Sequence, residues 1–147
     1  MEDFNDLSDE KVRQLIDELK MPESRINTKE LESAFGSYKD KQDIVSFNLG
    51  IDYILHIYRG NYESDRFTVG IRFKNLNHQL VRIDVNGGEH TNPDDTVAPT
   101  THIHIYNNKF EKKDRYAYAI DINEFPIISN LYDVYMSFLE YNNIKEI

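Results

Sequence analysis

Three of the five histidines fall between positions 90 and 104, and two of them are one residue apart. In an extended strand, His102 and His104 point to the same face, with about 6.6–7 Å between their backbone positions. Imidazole nitrogens placed in this way can bind one divalent metal ion, and His90 or Glu89 can supply a third ligand. The spacing therefore predicts a candidate metal site at His90, His102 and His104.

The same side chains suit metal-free cleavage of RNA. Two imidazoles that titrate near neutrality can act as base and acid, and Arg82 or Lys109 can stabilise the charge that develops on the phosphate. Tyr106 follows the same alternation and is expected on the histidine face. The candidate catalytic residues are His90, His102, His104, Arg82 and Tyr106. A third interpretation stays open, in which the histidines are polar-face residues that hydrogen-bond to neighbouring strands.

The histidines depend on the segment 87–100, which separates two predicted strands. Loops longer than about 12 residues without structure of their own are uncommon in small domains and are often functional. Within this loop, Asn92-Pro93-Asp94-Asp95 has the composition of a tight turn. Asn92 and Asp94 are therefore candidate binding residues. His56 lies in an apolar run and is predicted to be a hydrogen-bonded sheet residue, whereas His78 is predicted to lie at a surface turn.

A period of two predicts the strands that position these residues. Apolar and polar residues alternate strictly in 67–73, as expected of a half-buried strand. Close spacing of successive strands favours an antiparallel meander, because parallel crossovers need about a dozen residues. The predicted strands are 51–59, 67–73, 80–86, 101–106 and 116–122.

Helical patterns flank this region. Ser8 is a predicted N-cap, and the apolar residues from Val12 to Leu19 form one stripe of a helix that Pro22 is expected to stop near Met21. A short second helix is predicted over 28–35, a polar linker over 36–43, and a C-terminal helix from about 129 to 141. The sequence therefore predicts an α+β fold, an antiparallel meander of about five strands with an N-terminal and a C-terminal helix packed on one face. We expect one domain over 1–147, divided into an acidic helical segment (1–40), a sheet (44–122) and a C-terminal helix (129–142).

The net charge of −9 is concentrated near the N-terminus. Residues 1–24 contain eight acids and three bases, a net charge of −5. A negative surface of this kind suits a protein partner with a basic surface. The candidate binding residues are Asp3, Asp6, Asp9, Glu10, Asp17 and Glu18.

Composition also excludes several classes of protein. The absence of cysteine removes disulfides, thiolate zinc sites and cysteine nucleophiles. The acidic balance argues against direct binding to nucleic acid, and no apolar run approaches the ~18 residues of a membrane span. The acidic start has no signal-peptide pattern, so a cytoplasmic location is expected. No cofactor is expected, apart from the divalent metal considered above, and the oligomeric state is left open.

Residues 82–118 carry a recognisable pattern. It consists of Asp-Val-Asn-Gly, His-Thr-Asn-Pro-Asp, His-Ile-His-Ile-Tyr and Tyr-Ala-Tyr. The pattern resembles an uncharacterised family of small bacterial and prophage-borne proteins, although this chain has Thr101, Asp95 and Tyr116 where that family has proline, glycine and often tryptophan. The resemblance implies a mobile-element context without an established activity. It marks His90, Asn92, Asp94, His102, His104 and Tyr106.

Two functions of different classes follow. The first is a non-enzymatic acidic interaction module, such as a phage or mobile-element inhibitor of a host nuclease or defence system, of which an anti-CRISPR protein is one example. The second is a small histidine-dependent ribonuclease or toxin, or a metal-dependent enzyme, that uses the three clustered histidines. Convergence of the histidines within about 4–6 Å around a cleft would favour the second.

Overall fold

The α+β prediction is confirmed. The computed structural model describes residues 3–26, 28, 31, 36–61 and 63–145. Within these residues, helix α1 spans Asp9–Asp17 and helix α2 spans Leu131–Tyr141. The strands are β1 (Met21–Pro22), β2 (Tyr38–Ser46), β3 (Ile51–Arg59), β4 (Phe67–Phe73), β5 (Gln79–Val85), β6 (His90–Thr91), β7 (Val97–Ala98), β8 (His102–Ile105) and β9 (Ala117–Ala119).

Seven of these strands form one antiparallel sheet in the order β1-β2-β3-β4-β5-β8-β9, and β6 and β7 form a separate hairpin. The sheet is therefore a meander that is interrupted once, where the hairpin is inserted between β5 and β8. The predicted number of about five strands was too low. The two additional strands of the sheet, β1 and β2, come from segments that the sequence predicted as helix end and linker.

One face of this sheet carries the core. Leu55, Ile71 and Val81 are direct cross-strand partners in β3, β4 and β5, and all three are buried. Burial of such a row removes apolar surface from water at roughly 25 cal/mol per Å². Side chains from both helices belong to the same core cluster, among them Val12, Leu15, Ile16, Val134 and Phe138. Because side chains alternate along a strand, the opposite face presents the polar residues.

Helix α1 begins where the sequence predicts. Ser8 Oγ accepts a hydrogen bond from the Lys11 N–H at 3.1 Å, which satisfies one of the free donors of the first turn. The helix ends at Asp17 rather than near Met21, since Glu18 already has an extended backbone with ψ of 138°. Leu19 therefore leaves the apolar stripe and is 42% exposed.

Lys20 explains this early end. Its side chain is fully buried, and its ammonium donates hydrogen bonds to the carbonyls of Ile16, Glu18 and Asn142 at 2.8, 2.9 and 2.7 Å. These carbonyls lie at the C-terminal ends of α1 and α2, where helices leave acceptors unpaired and favour a positive charge. One buried lysine thus joins the ends of the two helices.

The remaining differences concern segments that are irregular in sequence. The predicted linker 36–43 contains the first half of β2, which pairs with β3 from Tyr38↔Arg59 to Ser46↔Ile51. The last strand of the sheet is shorter than the predicted 116–122, and the predicted loop 87–100 contains the β6–β7 hairpin. Most of the predicted helix 28–35 lies outside the described residues. Among the described residues, no helix is long and apolar enough to cross a membrane.

Candidate functional site

The register between β5 and β8 brings the predicted residues together. Arg82 lies directly opposite His104, and Asp84 lies directly opposite His102. All four side chains lie on the polar face of the sheet, away from the helices. His102 and His104 are only 3% and 2% exposed, so this polar group is enclosed rather than spread over the surface.

The hairpin β6–β7 brings His90 to the same place. Its turn is fastened to β9, because the Asn92 amide accepts from the N–H of Ala117 at 2.8 Å and donates to the carbonyl of Ala117 at 2.9 Å. Asp94 accepts from the Tyr116 hydroxyl at 2.7 Å. Asn92 and Asp94, predicted as binding residues, therefore hold the hairpin against the sheet.

The three histidine rings converge. The His90 ring centroid lies 5.1 Å from that of His104 and 5.7 Å from that of His102, and the last two are 4.9 Å apart. These distances lie within the ~4–6 Å that would favour a histidine-dependent or metal-dependent enzyme over an interaction module. The group formed by Asp84, His90, His102 and His104 is called the histidine cluster below.

The separations within the histidine cluster match those around a metal ion. Nε2 of His102 and Nε2 of His104 lie 3.4 and 3.3 Å from the same atom, Oδ2 of Asp84. Ligand atoms of Asp84, His102 and His104 lie within 4.8 Å of one another. Tetrahedral zinc with bonds of about 2.0–2.1 Å separates its ligands by ~3.3–3.4 Å. The two distances from Asp84 Oδ2 to the histidine Nε2 atoms therefore match the ligand separations around a bound zinc ion.

The hydrogen bond on the other side of His102 fixes its reactive nitrogen. Nδ1 of His102 lies 2.7 Å from the carbonyl oxygen of Pro99, which can only accept, so Nδ1 carries the proton. In the neutral ring, Nε2 then presents a lone pair to a carboxylate oxygen. Two electron-rich atoms at this distance need a cation between them, either a proton or a metal ion. A carbonyl on the distal nitrogen is the usual way to orient a metal-binding histidine.

His104 makes the stronger case for an ion. Both of its ring nitrogens are buried, and neither makes a well-oriented hydrogen bond to a described residue, although Nε2 lies 3.3 Å from Asp84 Oδ2. Buried polar atoms nearly always have partners, because the unmet desolvation costs about 1–3 kcal/mol each. An ion bound between Asp84 and His104 would supply the missing partner of Nε2.

Asp84 is held in its ionised form. Burial alone would raise the pKa of the Asp84 carboxyl, but contacts with His102 and His104 and the charge of Arg82 outweigh this and hold the pKa well below its usual range. Its second oxygen, Oδ1, accepts from the Thr68 hydroxyl at 2.9 Å. Asp84 is thus a fixed carboxylate with one oxygen aimed at the two imidazoles.

Arg82 is fixed beside this carboxylate. Its guanidinium contacts Asp84 Oδ2 at 3.2 Å and donates to the buried Asp114 at 2.6 Å. The two acids hold the positive charge at the edge of the histidine cluster. A guanidinium in this position can stabilise negative charge that develops on a bound substrate.

His90 differs from the other two histidines in its exposure. It is half-buried at the rim, and its Nε2 lies 2.9 Å from the carbonyl oxygen of Arg115. Burial, together with the nearby charges of His104, His102 and Arg115, lowers the pKa of His90 although the Arg115 carbonyl opposes this. The hydrogen bonds of His90 within the described part of the chain involve Nε2 only, and a neutral imidazole can use its Nδ1 as a base or as a fourth ligand.

Tyr106 does not join the cluster. Strand β8 ends at Ile105, so the predicted alternation does not extend to Tyr106. Its ring is buried in the core, where the hydroxyl donates to the Phe4 carbonyl at 2.7 Å and accepts from the Leu7 N–H at 3.3 Å. Its placement on the histidine face was wrong, and the phenol instead anchors the N-terminal segment.

Two acids of the site have no counterpart among the predicted site residues. Asp84 supplies the third ligand atom that the sequence analysis assigned to His90 or Glu89, and Asp114 holds Arg82. One signal for Asp84 exists, since Arg82 and Asp84 occupy alternate positions of a predicted strand that ends just before the histidine loop. Nothing comparable distinguishes Asp114, which lies in an irregular segment.

The other two histidines lie outside the cluster. His56 pairs with the Gln79 side chain at 3.0 Å on the sheet face, and His78 pairs with Asn5 at 2.7 Å. The assignment of His56 as a hydrogen-bonded sheet residue is confirmed. The two residues provide histidine controls for experiments on the cluster.

The predicted acidic residues are distributed along the N-terminal segment. Several of them have internal partners, since Asp6 accepts from Asn108, Asp17 pairs with Arg13 and Glu18 accepts from Asn48. The Asp3 side chain accepts from the backbone N–H two residues further on. The exposed members are Asp3, Asp6, Asp9, Glu10 and Asp17.

The model of a family of unknown function, DUF6978, matches residues 7–144. The chain belongs to this family. The match includes every residue of the histidine cluster and both helices, and it confirms the resemblance to an uncharacterised family. No curated protein and no solved structure matches the chain. The family assignment carries no activity.

Proposed function

We propose that this member of DUF6978 is a metal-dependent hydrolase whose ion is bound by Asp84, His102 and His104. The observation that carries the proposal is the placement of two imidazole Nε2 atoms at 3.3 and 3.4 Å from one carboxylate oxygen. Two histidines and one carboxylate leave a fourth position for water, which is the pattern of catalytic rather than structural zinc sites.

The surroundings suit hydrolysis of a phosphate ester. A bound divalent ion lowers the pKa of its water toward neutrality. Water adds to the phosphorus, the bond to the leaving oxygen breaks, and the proton from the water ends on that oxygen. In this proposal His90 would carry the proton, and Arg82 would stabilise the negative charge of the transition state.

His102 can exchange a proton for a metal ion. Its Nδ1 faces the Pro99 carbonyl and its Nε2 faces Asp84, so without an ion the ring carries a proton on each nitrogen. The contact with Asp84 accordingly raises the pKa of His102. A divalent ion would replace the Nε2 proton of His102 and would also bind Nε2 of His104.

Metal removal tests the proposal. We expect purified protein loaded with one equivalent of Zn²⁺ or Mn²⁺ to hydrolyse bis(p-nitrophenyl) phosphate. Dialysis against EDTA should lower the rate by at least ~100-fold, and one equivalent of metal should restore it. The His78→Ala variant, which lacks a histidine that pairs with Asn5 outside the cluster, should behave like the wild type.

The outcomes separate the two chemistries that the sequence left open. Activity that survives chelation but is lost in His102→Ala would contradict the metal centre and favour cleavage by the histidines alone. Absence of activity in metal-loaded protein toward phosphodiesters, phosphomonoesters and carboxylic esters would contradict the hydrolase.

The acidic interaction module stays a prediction. It is supported by the exposed carboxylates of Asp9, Glu10 and Asp17 at α1, and its refinement as a phage, mobile-element or anti-CRISPR inhibitor is a proposal of the same kind. A basic protein partner and a cytoplasmic location remain proposals too. We favour the hydrolase because the buried histidine cluster has specific geometry, whereas Asp6, Asp17 and Glu18 are partly engaged within the chain.

A further inference from the structure

Two adjoining grooves lie on the polar face of the sheet beside the histidine cluster, and the first of them includes one residue of that cluster, Asp84. The first has a volume of about 520 Å³, and its lining includes Tyr58, Arg66, Thr68 and Asp84. The second has a volume of about 530 Å³, and its lining includes Lys39, Lys41, His56, Tyr58 and Arg72. Tyr58 belongs to both grooves and forms the ridge between them.

The ridge offers an aromatic surface. Tyr58 is 53% exposed near the end of β3, and Lys39 Nζ lies 5.9 Å from its ring centroid. An exposed ring beside a cation is the arrangement on which a nucleobase stacks while its phosphate meets the positive charge.

The local charge is opposite in sign to that of the whole chain. The grooves contain four cationic residues, Lys39, Lys41, Arg66 and Arg72, and three acidic residues, Asp40, Glu63 and Asp84. Asp84 is already matched by Arg82 at 3.2 Å. The face is therefore weakly positive on a protein with a net charge of −9, and an anionic ligand meets little repulsion there.

The aromatic ridge is aligned with the histidine cluster. Tyr58 lies opposite Thr68, and Thr68 lies opposite Asp84, in the neighbouring strands β3, β4 and β5. Adjacent strands are about 4.8 Å apart, so the backbones of Tyr58 and Asp84 are separated by ~10 Å. A single ligand in the first groove can contact both residues.

We infer that this face binds a nucleotide, either free or within single-stranded RNA, with its base stacked on Tyr58 and its phosphates near Arg66 and Lys39. The acidic net charge predicted no direct binding to nucleic acid. A single-strand site, however, needs only one exposed ring and a few local cations, which an acidic protein can also have. The bound nucleotide would also be the substrate class of the proposed hydrolase, and only this identification as substrate rests on the proposed function.

Binding is measured by fluorescence anisotropy with a labelled eight-residue oligouridylate. The titration contains EDTA and low salt, so that neither the metal nor cleavage affects the result. Tyr58→Ala should weaken binding by at least ~5-fold, since stacking contributes about 1–3 kcal/mol per base. Arg66→Gln should weaken binding and reduce its salt dependence.

Matched controls lie elsewhere on the chain. Phe47 is a 70% exposed aromatic residue at the opposite end of the β2–β3 hairpin, and Arg13 is an exposed arginine on α1. Phe47→Ala and Arg13→Gln should bind as the wild type does. All variants alter exposed residues, and thermal melting verifies that each is folded.

Competitors identify the source of the ligand. Displacement by UMP at a similar concentration indicates a mononucleotide site, and displacement by oligouridylate alone indicates a single-strand site. Equal displacement by polyglutamate would overturn the inference, because the face would then respond to charge alone. Absence of wild-type binding, or unchanged binding by Tyr58→Ala, would overturn it too. Since the assay contains no metal, these failures are distinct from failure of the metal centre.

Discussion

Replacing His104 with alanine is expected to lower the affinity for Zn²⁺ by at least ~100-fold. Loss of an outer-shell partner typically costs 10–100-fold in metal affinity, and a direct ligand should cost more. Among the described residues, Nδ1 of His104 has no hydrogen-bond partner and Nε2 has only the 3.3 Å contact with Asp84. Isothermal titration of the metal-free protein with Zn²⁺ measures the change.

A second variant keeps this prediction testable if the first unfolds. Asp84→Asn preserves the shape of the side chain but removes its charge, and it should also lower the affinity by at least ~100-fold. His56→Ala is the matched control, since His56 lies on the same sheet face and pairs with Gln79 instead. Unchanged zinc affinity in folded His104→Ala or Asp84→Asn would show that the ion, if bound, is bound elsewhere.

Replacing Lys20 with methionine is expected to lower the free energy of unfolding by roughly 3–5 kcal/mol at pH 7. The apolar side chain fills a similar volume but leaves the carbonyls of Ile16, Glu18 and Asn142 without their donor. Each buried carbonyl left without a donor costs about 1–3 kcal/mol, and burial of the apolar methionine side chain offsets part of the sum. Urea unfolding followed by circular dichroism measures it.

The control for this prediction is Lys109→Met, which alters an exposed lysine and should change stability by less than ~0.5 kcal/mol. A Lys20→Met variant as stable as the wild type would contradict the account. It would mean that the cost of burying the ammonium cancels its three hydrogen bonds.

The same residue predicts a pH dependence. Burial lowers the pKa of Lys20 to about 7, although Glu18 and Asp17 oppose this. Between pH 7 and about 10.5 the unfolded chain therefore binds this proton more tightly than the folded chain. The contribution of Lys20 to the free energy of unfolding should rise with pH across this interval and be constant below it. Comparison of wild type and Lys20→Met at matched pH values isolates that slope.

Much of the fold could be predicted because its signals are local. Strict alternation in 67–73 and the Ser8 cap each fix an element from a few neighbouring residues. The first half of β2 escaped prediction because its sequence, Lys-Asp-Lys-Gln-Asp, has no apolar alternation. On its outer side β2 is paired only with the two residues of β1. The first half of β2 is therefore only partly buried.

The site was predicted in part for a related reason. Spacing alone brings His102 and His104 to one face, but the position of Asp84 depends on the register between β5 and β8. The β6–β7 hairpin separates β5 from β8 in the sequence, and the sequence predicted this hairpin only as a loop. Lys20 was missed because a lysine is ordinarily exposed, and its burial requires two helix ends to meet. Each miss concerns a contact between segments that are distant in sequence.

Anomalous diffraction at the zinc edge from zinc-loaded crystals tests the central claim most directly. We expect one strong peak per chain, about 2.0–2.2 Å from Asp84 Oδ2, His102 Nε2 and His104 Nε2. A structure in which these three side chains keep their positions while zinc peaks occur only at other residues would contradict it.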